Sequence, residues 1–269
     1  MDLSEQMIEL AGAPVFYLRA EPVGATVLYL HGSPTSADDW RPFLERSGGL
    51  APDLLGFGRS SKAGNLEFSL PAYVRFLEDF LRATQTPEVS LVGHGWGGAI
   101  ALAYALAHPD RARRVTIIDA IPLLPGFEWP RMCRRLRRPG VGELMMGATS
   151  RRLLARSLRS ATVTPGAWSE ERLDALWAQF DQGTQRAILR LHRSIDGAGL
   201  AAAGAGLAAL DVPALVVGGD EDPWVAPSYA EAYARTLPRA ELHRVSAAGH
   251  WPWLDRPALI DRVAAFASH

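Results

Sequence analysis

Six short apolar runs punctuate the chain: ATVLYLH (25–31), GLAPDL (49–54), EVSLVG (88–93), RVTIIDA (114–120), PALVVGG (213–219) and AELHRV (240–245). Most are apolar at consecutive rather than alternate positions, the pattern of strands buried on both faces. Between them, PAYVRFLEDFLRAT and GGAIALAYALAHP repeat apolar residues at three- and four-residue spacing, the period of a helix with one face on a core. This alternation predicts an α/β fold, a mostly parallel central sheet flanked by helices. The alternation stops between about Pro122 and Leu210. That stretch offers helical segments, EERLDALWAQF and QRAILRLHRS, and no convincing strand, so it reads as a helical cap inserted after the strand that ends at Asp119. The expected organisation is a core of residues 1–121 and 211–269 with a cap of residues 122–210. Near the end of the cap, GLAAAGAGLAAL reads as a loosely packed helix or a hinge. There is no internal repeat.

Composition narrows the function classes. A chain of 269 residues can bury one large core. Its formal charge of −1 supplies no whole-protein field for nucleic acid or an anionic membrane, so neither is expected as a partner. A single cysteine, Cys133, excludes an internal disulfide framework and a cysteine-based metal site, which fits a reducing cytoplasm. The start MDLSEQMIEL is acidic and poor in apolar residues, unlike a secretion signal or an anchor, and no apolar run approaches the ~20 residues of a membrane span. The expectation is a cytoplasmic monomer or homodimer acting on a small molecule without a cofactor. RMCRRLRRPG, with five arginines in eight residues, reads first as an exposed helix face and second as a phosphate or carboxylate site.

One glycine turn carries two readings. Gly93-His94-Gly95-Trp96-Gly97-Gly98 satisfies G-x-G-x-x-G between a strand and a helix, and Asp119 lies 21 residues further on, where a dinucleotide site keeps its ribose-binding carboxylate. On that motif alone the chain is a nicotinamide-dependent oxidoreductase. The turn sits, however, on the third strand that the pattern counts, and the reading leaves four other motifs unexplained. LYLHGSPTSADDW ends a strand with His31 and Gly32; APDLLGFGRSSKAG sets Asp53, Gly56, Gly58 and Ser60 in a loop; VVGGDEDPW sets Asp222 just beyond a strand, and AAGHWPWLDRP sets His250 just beyond the last one. Each lies at the carboxyl end of a strand, where open α/β sheets place their ligands.

Together these motifs resemble the α/β-hydrolase fold across nearly the whole chain. HGSPTS, APDLLGFGRSSK, GHGWGG and GHWPWLDRP are most similar to the loops of its haloalkane dehalogenase and epoxide hydrolase branch, with serine-type relatives almost as close. The resemblance implies that Gly95 occupies the nucleophile elbow, where a serine would form an acyl-enzyme and an aspartate an alkyl ester. Glycine forms neither. It further implies His250 as base, Asp222 as the carboxylate that fixes its tautomer, and the backbone N–H groups of Ser33 and Trp96 as an oxyanion hole. Asp119 and Asp220 are alternative carboxylates; His31, His94 and Asp53 read as structural. Trp96, Trp251 and Trp253 are candidates to line an apolar pocket, with Trp96 preferred and core packing an equal explanation for at least one. A base without a nucleophile suits elimination or isomerisation, internal cyclisation, or direct attack by water. The alternatives are a decayed or deliberately silenced hydrolase and a non-catalytic binding protein.

Overall fold

Four of the six apolar runs form strands buried at every position, Val27–Leu30, Gly49–Pro52, Val89–His94 and Ala214–Gly219, whereas the strand of the last run, Ala240–Val245, is only partly buried. Residues 2–269 are described by a computed structural model; Met1, where the expected core and the acidic N-terminal stretch begin, lies outside them. Eight strands form one sheet: β1 (Ser4–Leu10), β2 (Ala13–Ala20), β3 (Val27–Leu30), β4 (Gly49–Pro52), β5 (Val89–His94), β6 (Ala112–Ile118), β7 (Ala214–Gly219) and β8 (Ala240–Val245). Their order across the sheet is β1-β2-β4-β3-β5-β6-β7-β8. From β4 to β8 every pairing is parallel, while β2 is antiparallel to both β1 and β4.

The helices are α1 (Arg41–Ser47), α2 (Leu70–Ala83), α3 (Trp96–Ala107), α4 (Arg131–Leu136), α5 (Val141–Gly147), α6 (Arg151–Arg159), α7 (Glu170–Gln179), α8 (Gln182–Arg193), α9 (Gly197–Ala203), α10 (Ser228–Thr236), α11 (Pro252–Asp255) and α12 (Ala258–Ser268). Ser69 caps α2 by accepting from the Ala72 N–H at 3.2 Å, and α2 buries Tyr73, Phe76, Leu77 and Phe80 on one face. Helix α3 is apolar around most of its circumference and packs against β3, β5, β6 and α2. Between β6 and β7 the chain forms six α-helices, α4 to α9, and no strand. No helix among the described residues is long and apolar enough to cross a membrane.

Three expectations are corrected. The N-terminal hairpin β1–β2 escapes the apolar pattern because β1 is an edge strand with mostly exposed side chains, and because its turn uses Ala11 and Gly12, at φ 48° and 78°, instead of the usual Asn-Gly or Asp-Gly. The glycine turn consequently follows the fifth strand of the chain, not the third. GLAAAGAGLAAL is well packed: Leu200 and Leu207 are fully buried, and a Cβ on Gly204 would lie 1.8 Å from the Leu123 carbonyl.

Candidate active site

Because β3, β5, β6, β7 and β8 run parallel, the loops after them gather at one edge of the sheet. After β5 the chain turns sharply at Gly95, whose φ of 54° and ψ of −117° suit glycine and few other residues. The Gly95 N–H donates to the Ile118 carbonyl at 3.1 Å, and its carbonyl accepts from Ile121 N at 3.0 Å, so the turn is pinned to the end of β6. A Cβ on Gly93 would lie 2.3 Å from the Gly97 carbonyl, one on Gly97 2.0 Å from the Leu30 carbonyl, and one on Gly98 2.5 Å from Ala120 Cβ. These glycines are required by protein packing, which leaves no room for a pyrophosphate to use them. Gly95 differs. A Cβ there would meet only Gly32 Cα and His250 Nε2, each at an ordinary 3.7 Å.

His250 is buried, its N–H donating to the Ala161 carbonyl at 2.8 Å. Its Nδ1 donates to Asp222 Oδ2 at 2.7 Å, which turns Nε2 toward Gly95. The other oxygen of Asp222 accepts from Trp224 N at 2.7 Å and Val225 N at 3.1 Å. Asp119 sits beside this pair: Oδ1 accepts from Gly219 N at 3.0 Å, while Oδ2 is buried without a donor. Burial, reinforced by the charge of Asp222, pushes the Asp119 carboxyl well above the usual carboxylate range. Asp220 points elsewhere, bonding Arg244 at 2.8 Å on the surface. Asp119, Asp222 and His250 bring one ligand-type atom each within 4.8 Å of one another. Three donors, from His250 and two backbone N–H groups, leave Asp222 one of its four lone pairs, so the trio fits a proton better than a cation.

The remaining loop residues hold this arrangement in place. His94 Nε2 donates to the His250 carbonyl at 2.7 Å, and burial first, then the neighbouring His250, keep its imidazole neutral, well below the ordinary histidine range. His31 Nδ1 donates to the Gly32 carbonyl at 2.7 Å and its Nε2 accepts from Leu54 N at 2.9 Å. Asp53 accepts from Ala37 N and Arg59 N, each at 2.7 Å. The sequence reading did not single out Asp255, although it lies in the quoted GHWPWLDRP. Its Oδ1 accepts from Val163 N at 3.0 Å and Thr164 N at 2.6 Å, and its Oδ2 accepts from Gly249 N at 2.9 Å.

Above Gly95 lies a cavity of about 470 Å³. Its floor includes Ser33, Gly95, Trp96, Trp224 and His250, and its walls are mostly methionines, leucines and Phe180 from α4 to α8. Among the described residues the backbone N–H groups of Ser33 and Trp96 donate to no protein acceptor, Trp96 because it opens α3. Trp251 and Trp253, both offered as pocket residues, are corrected to core: Trp251 is fully buried against Trp168 and His94, and Trp253 stacks on Trp40 with ring centroids 5.5 Å apart. The tryptophan at the cavity beside His250 is Trp224, 4.8 Å between ring centroids, two residues past Asp222 in a motif already in view. His192 on α8 also lines the cavity. Its Nδ1 donates to the Ile188 carbonyl at 2.9 Å, burial lowers it to about 4, and its Nε2 accepts from the Trp96 indole at a long 3.5 Å. Nothing in its helical segment sets it apart by sequence.

A family model described as the alpha/beta hydrolase fold matches residues 25–257. A haloalkane dehalogenase of Mesorhizobium japonicum is 29% identical over 280 aligned positions, covering 96% of this chain and 89% of its own. A 2-hydroxymuconate semialdehyde hydrolase of a Pseudomonas species is 29% identical over 266 positions, covering 91% and 85%. Among solved structures, a haloalkane dehalogenase of Bradyrhizobium elkani superposes with a TM-score of 0.86 at 27% identity, over 99% of this chain and 98% of the other.

Proposed function

The chain belongs to the α/β-hydrolase fold family, and from that premise we propose that it is an enzyme using His250, held by Asp222, as a general base on an apolar, oxygen-bearing small molecule in the cavity over Gly95. One observation carries the reading: His250 Nε2 stands 3.7 Å from where a side chain on Gly95 would begin, in the space the family gives to its nucleophile. With that side chain missing, the lone pair faces the bound molecule directly. Nε2 takes a proton from a carbon acid, a hydroxyl or a water. The resulting imidazolium is stabilised by Asp222 through Nδ1, and the oxygen that gains charge is held by the N–H groups of Ser33 and Trp96. Asp119 supports Asp222 from behind, as a carboxyl that keeps its proton. The mostly apolar wall selects an apolar body. Residues 122–210 act as the cap over this site, and no cofactor is required.

The test compares wild type with His250→Ala on a panel of hydroxyketones, epoxides and esters of apolar bodies, with product analysis and intact-protein mass spectrometry. Turnover by the wild type that falls at least ~10²-fold in the variant, with no covalent adduct, is the expected result. Undiminished turnover in the variant, or an adduct mapped to residues 93–98, sinks the proposal. A second reading, a hydrolase silenced by loss of its nucleophile, is favoured by the open space at Gly95, which a side chain could still enter. A binding protein without catalysis would have no use for the 2.7 Å His250–Asp222 bond.

A further inference from the structure

Residues 131–159 hold nine arginines against a single acid, Glu143, which puts +8 on this segment and −9 on the rest of a chain whose formal charge is −1. The low net charge that argues against an anionic surface is thus the sum of two opposed regions. Arg151 and Arg159 pair with acids of α7, and the Arg137 guanidinium donates to the His192 and Ile195 carbonyls. Arg131, Arg134, Arg135, Arg138, Arg152 and Arg156 are exposed and form no ion pair among the described residues. Interleaved with them are Met132 (41% exposed), Val141 (41%), Leu144 (75%) and Leu153 (56%), four of the eight exposed large apolar side chains among the described residues. Met132 and Leu153 also line the cavity, so exposed apolar side chains of this segment reach its mouth.

We propose that this face of α4, α5 and α6 docks on an anionic lipid bilayer, and that the apolar substrate passes from lipid into the cavity through it. Unpaired guanidiniums match lipid phosphates, and short aliphatic helices can enter the acyl boundary. A second copy paired symmetrically through this face would meet the same positive patch and be repelled. Nucleic acid leaves the aliphatic side chains without a counterpart, and the segment contains no aromatic residue on which a base could stack. The inference stands on the surface and the opening, not on the chemistry of His250.

The test floats the full chain with phosphatidylcholine vesicles and with vesicles containing phosphatidylglycerol, at low and high salt. The phosphatidylglycerol vesicles are expected to retain about tenfold more protein or better at low salt, and salt is expected to weaken retention. Val141→Ser with Leu144→Ser, both solvent-facing and outside the cavity, reduces retention about tenfold, and Arg134→Gln with Arg135→Gln removes much of the lipid preference. His250→Ala floats like wild type, which separates this inference from the general-base proposal. Absence of flotation, equal retention on both vesicles, or retention indifferent to the Val141 and Leu144 changes overturns the inference. So does capture by immobilised polyglutamate or duplex DNA in place of vesicles.

Discussion

At residue 95 the backbone is left-handed, with φ 54° and ψ −117°, and this conformation costs any residue other than glycine about 1–3 kcal/mol. Packing adds nothing to that cost, since a Cβ would sit 3.7 Å from its two nearest neighbours. Gly95→Ser and Gly95→Asp are therefore expected to fold, with stability in urea lower by ~1–3 kcal/mol. Their side chains enter the space that His250 Nε2 serves, so general-base turnover of the native substrate is expected to fall in both. A silenced hydrolase predicts the reverse: ester hydrolysis gained with serine, or haloalkane or epoxide hydrolysis gained with aspartate, through a covalent adduct on residue 95. The two measurements separate a vacancy that the chemistry uses from one that merely ended it.

At the scale of elements, the loop after β8 and the loop between α6 and α7 are joined through Asp255, whose two oxygens accept three backbone N–H groups, from Val163, Thr164 and Gly249. The His250 N–H continues the same seam by donating to Ala161. Asp255→Ala orphans three donors at once and is expected to cost about 3 kcal/mol or more in urea unfolding, with Asp255→Asn milder because one acceptor remains. A loss under about 1 kcal/mol would mean that water replaces the carboxylate and that the seam is not structural. Contacts of this kind mark the limit of what the sequence discloses. Gly95, Asp222 and His250 were legible because each sits in a turn directly after a strand, where neighbouring residues fix the backbone. Asp255, His192 and the Asp119–Asp222 contact join segments distant along the chain, and no local pattern announces them. Trp251 and Trp224 flank the same histidine, and only the course of the loops decides which reaches the cavity. The arginine segment was visible, but which arginines lack acids is a property of the packed helices.

For the whole molecule, buried ionisable groups set how stability varies with pH. Burial raises the Asp39 carboxyl to about 6, and burial lowers His192 to about 4. In the unfolded chain an aspartate loses its proton near 4, so the stabilisation from neutral Asp39 is complete below about 4 and lost as pH rises through about 6. Unfolded histidine gains a proton near 6.5, so the stabilisation from neutral His192 is complete above 6.5 and lost as pH falls through about 4. Each displacement is worth about 3 kcal/mol. Between pH 4 and 6 the fold holds roughly one proton more than the unfolded chain at Asp39 and one fewer at His192, and the two slopes offset each other. Single substitutions uncover them. Relative to wild type, Asp39→Asn is expected to gain about 3 kcal/mol between pH 4 and 7, and His192→Gln to gain a similar amount as pH falls from 7 to 4. Urea midpoints across that range read both differences, and differences that stay constant with pH would show that neither group is displaced by folding. The second result bears on the site as well, because only a histidine that stays neutral can accept the Trp96 indole N–H at the cavity wall.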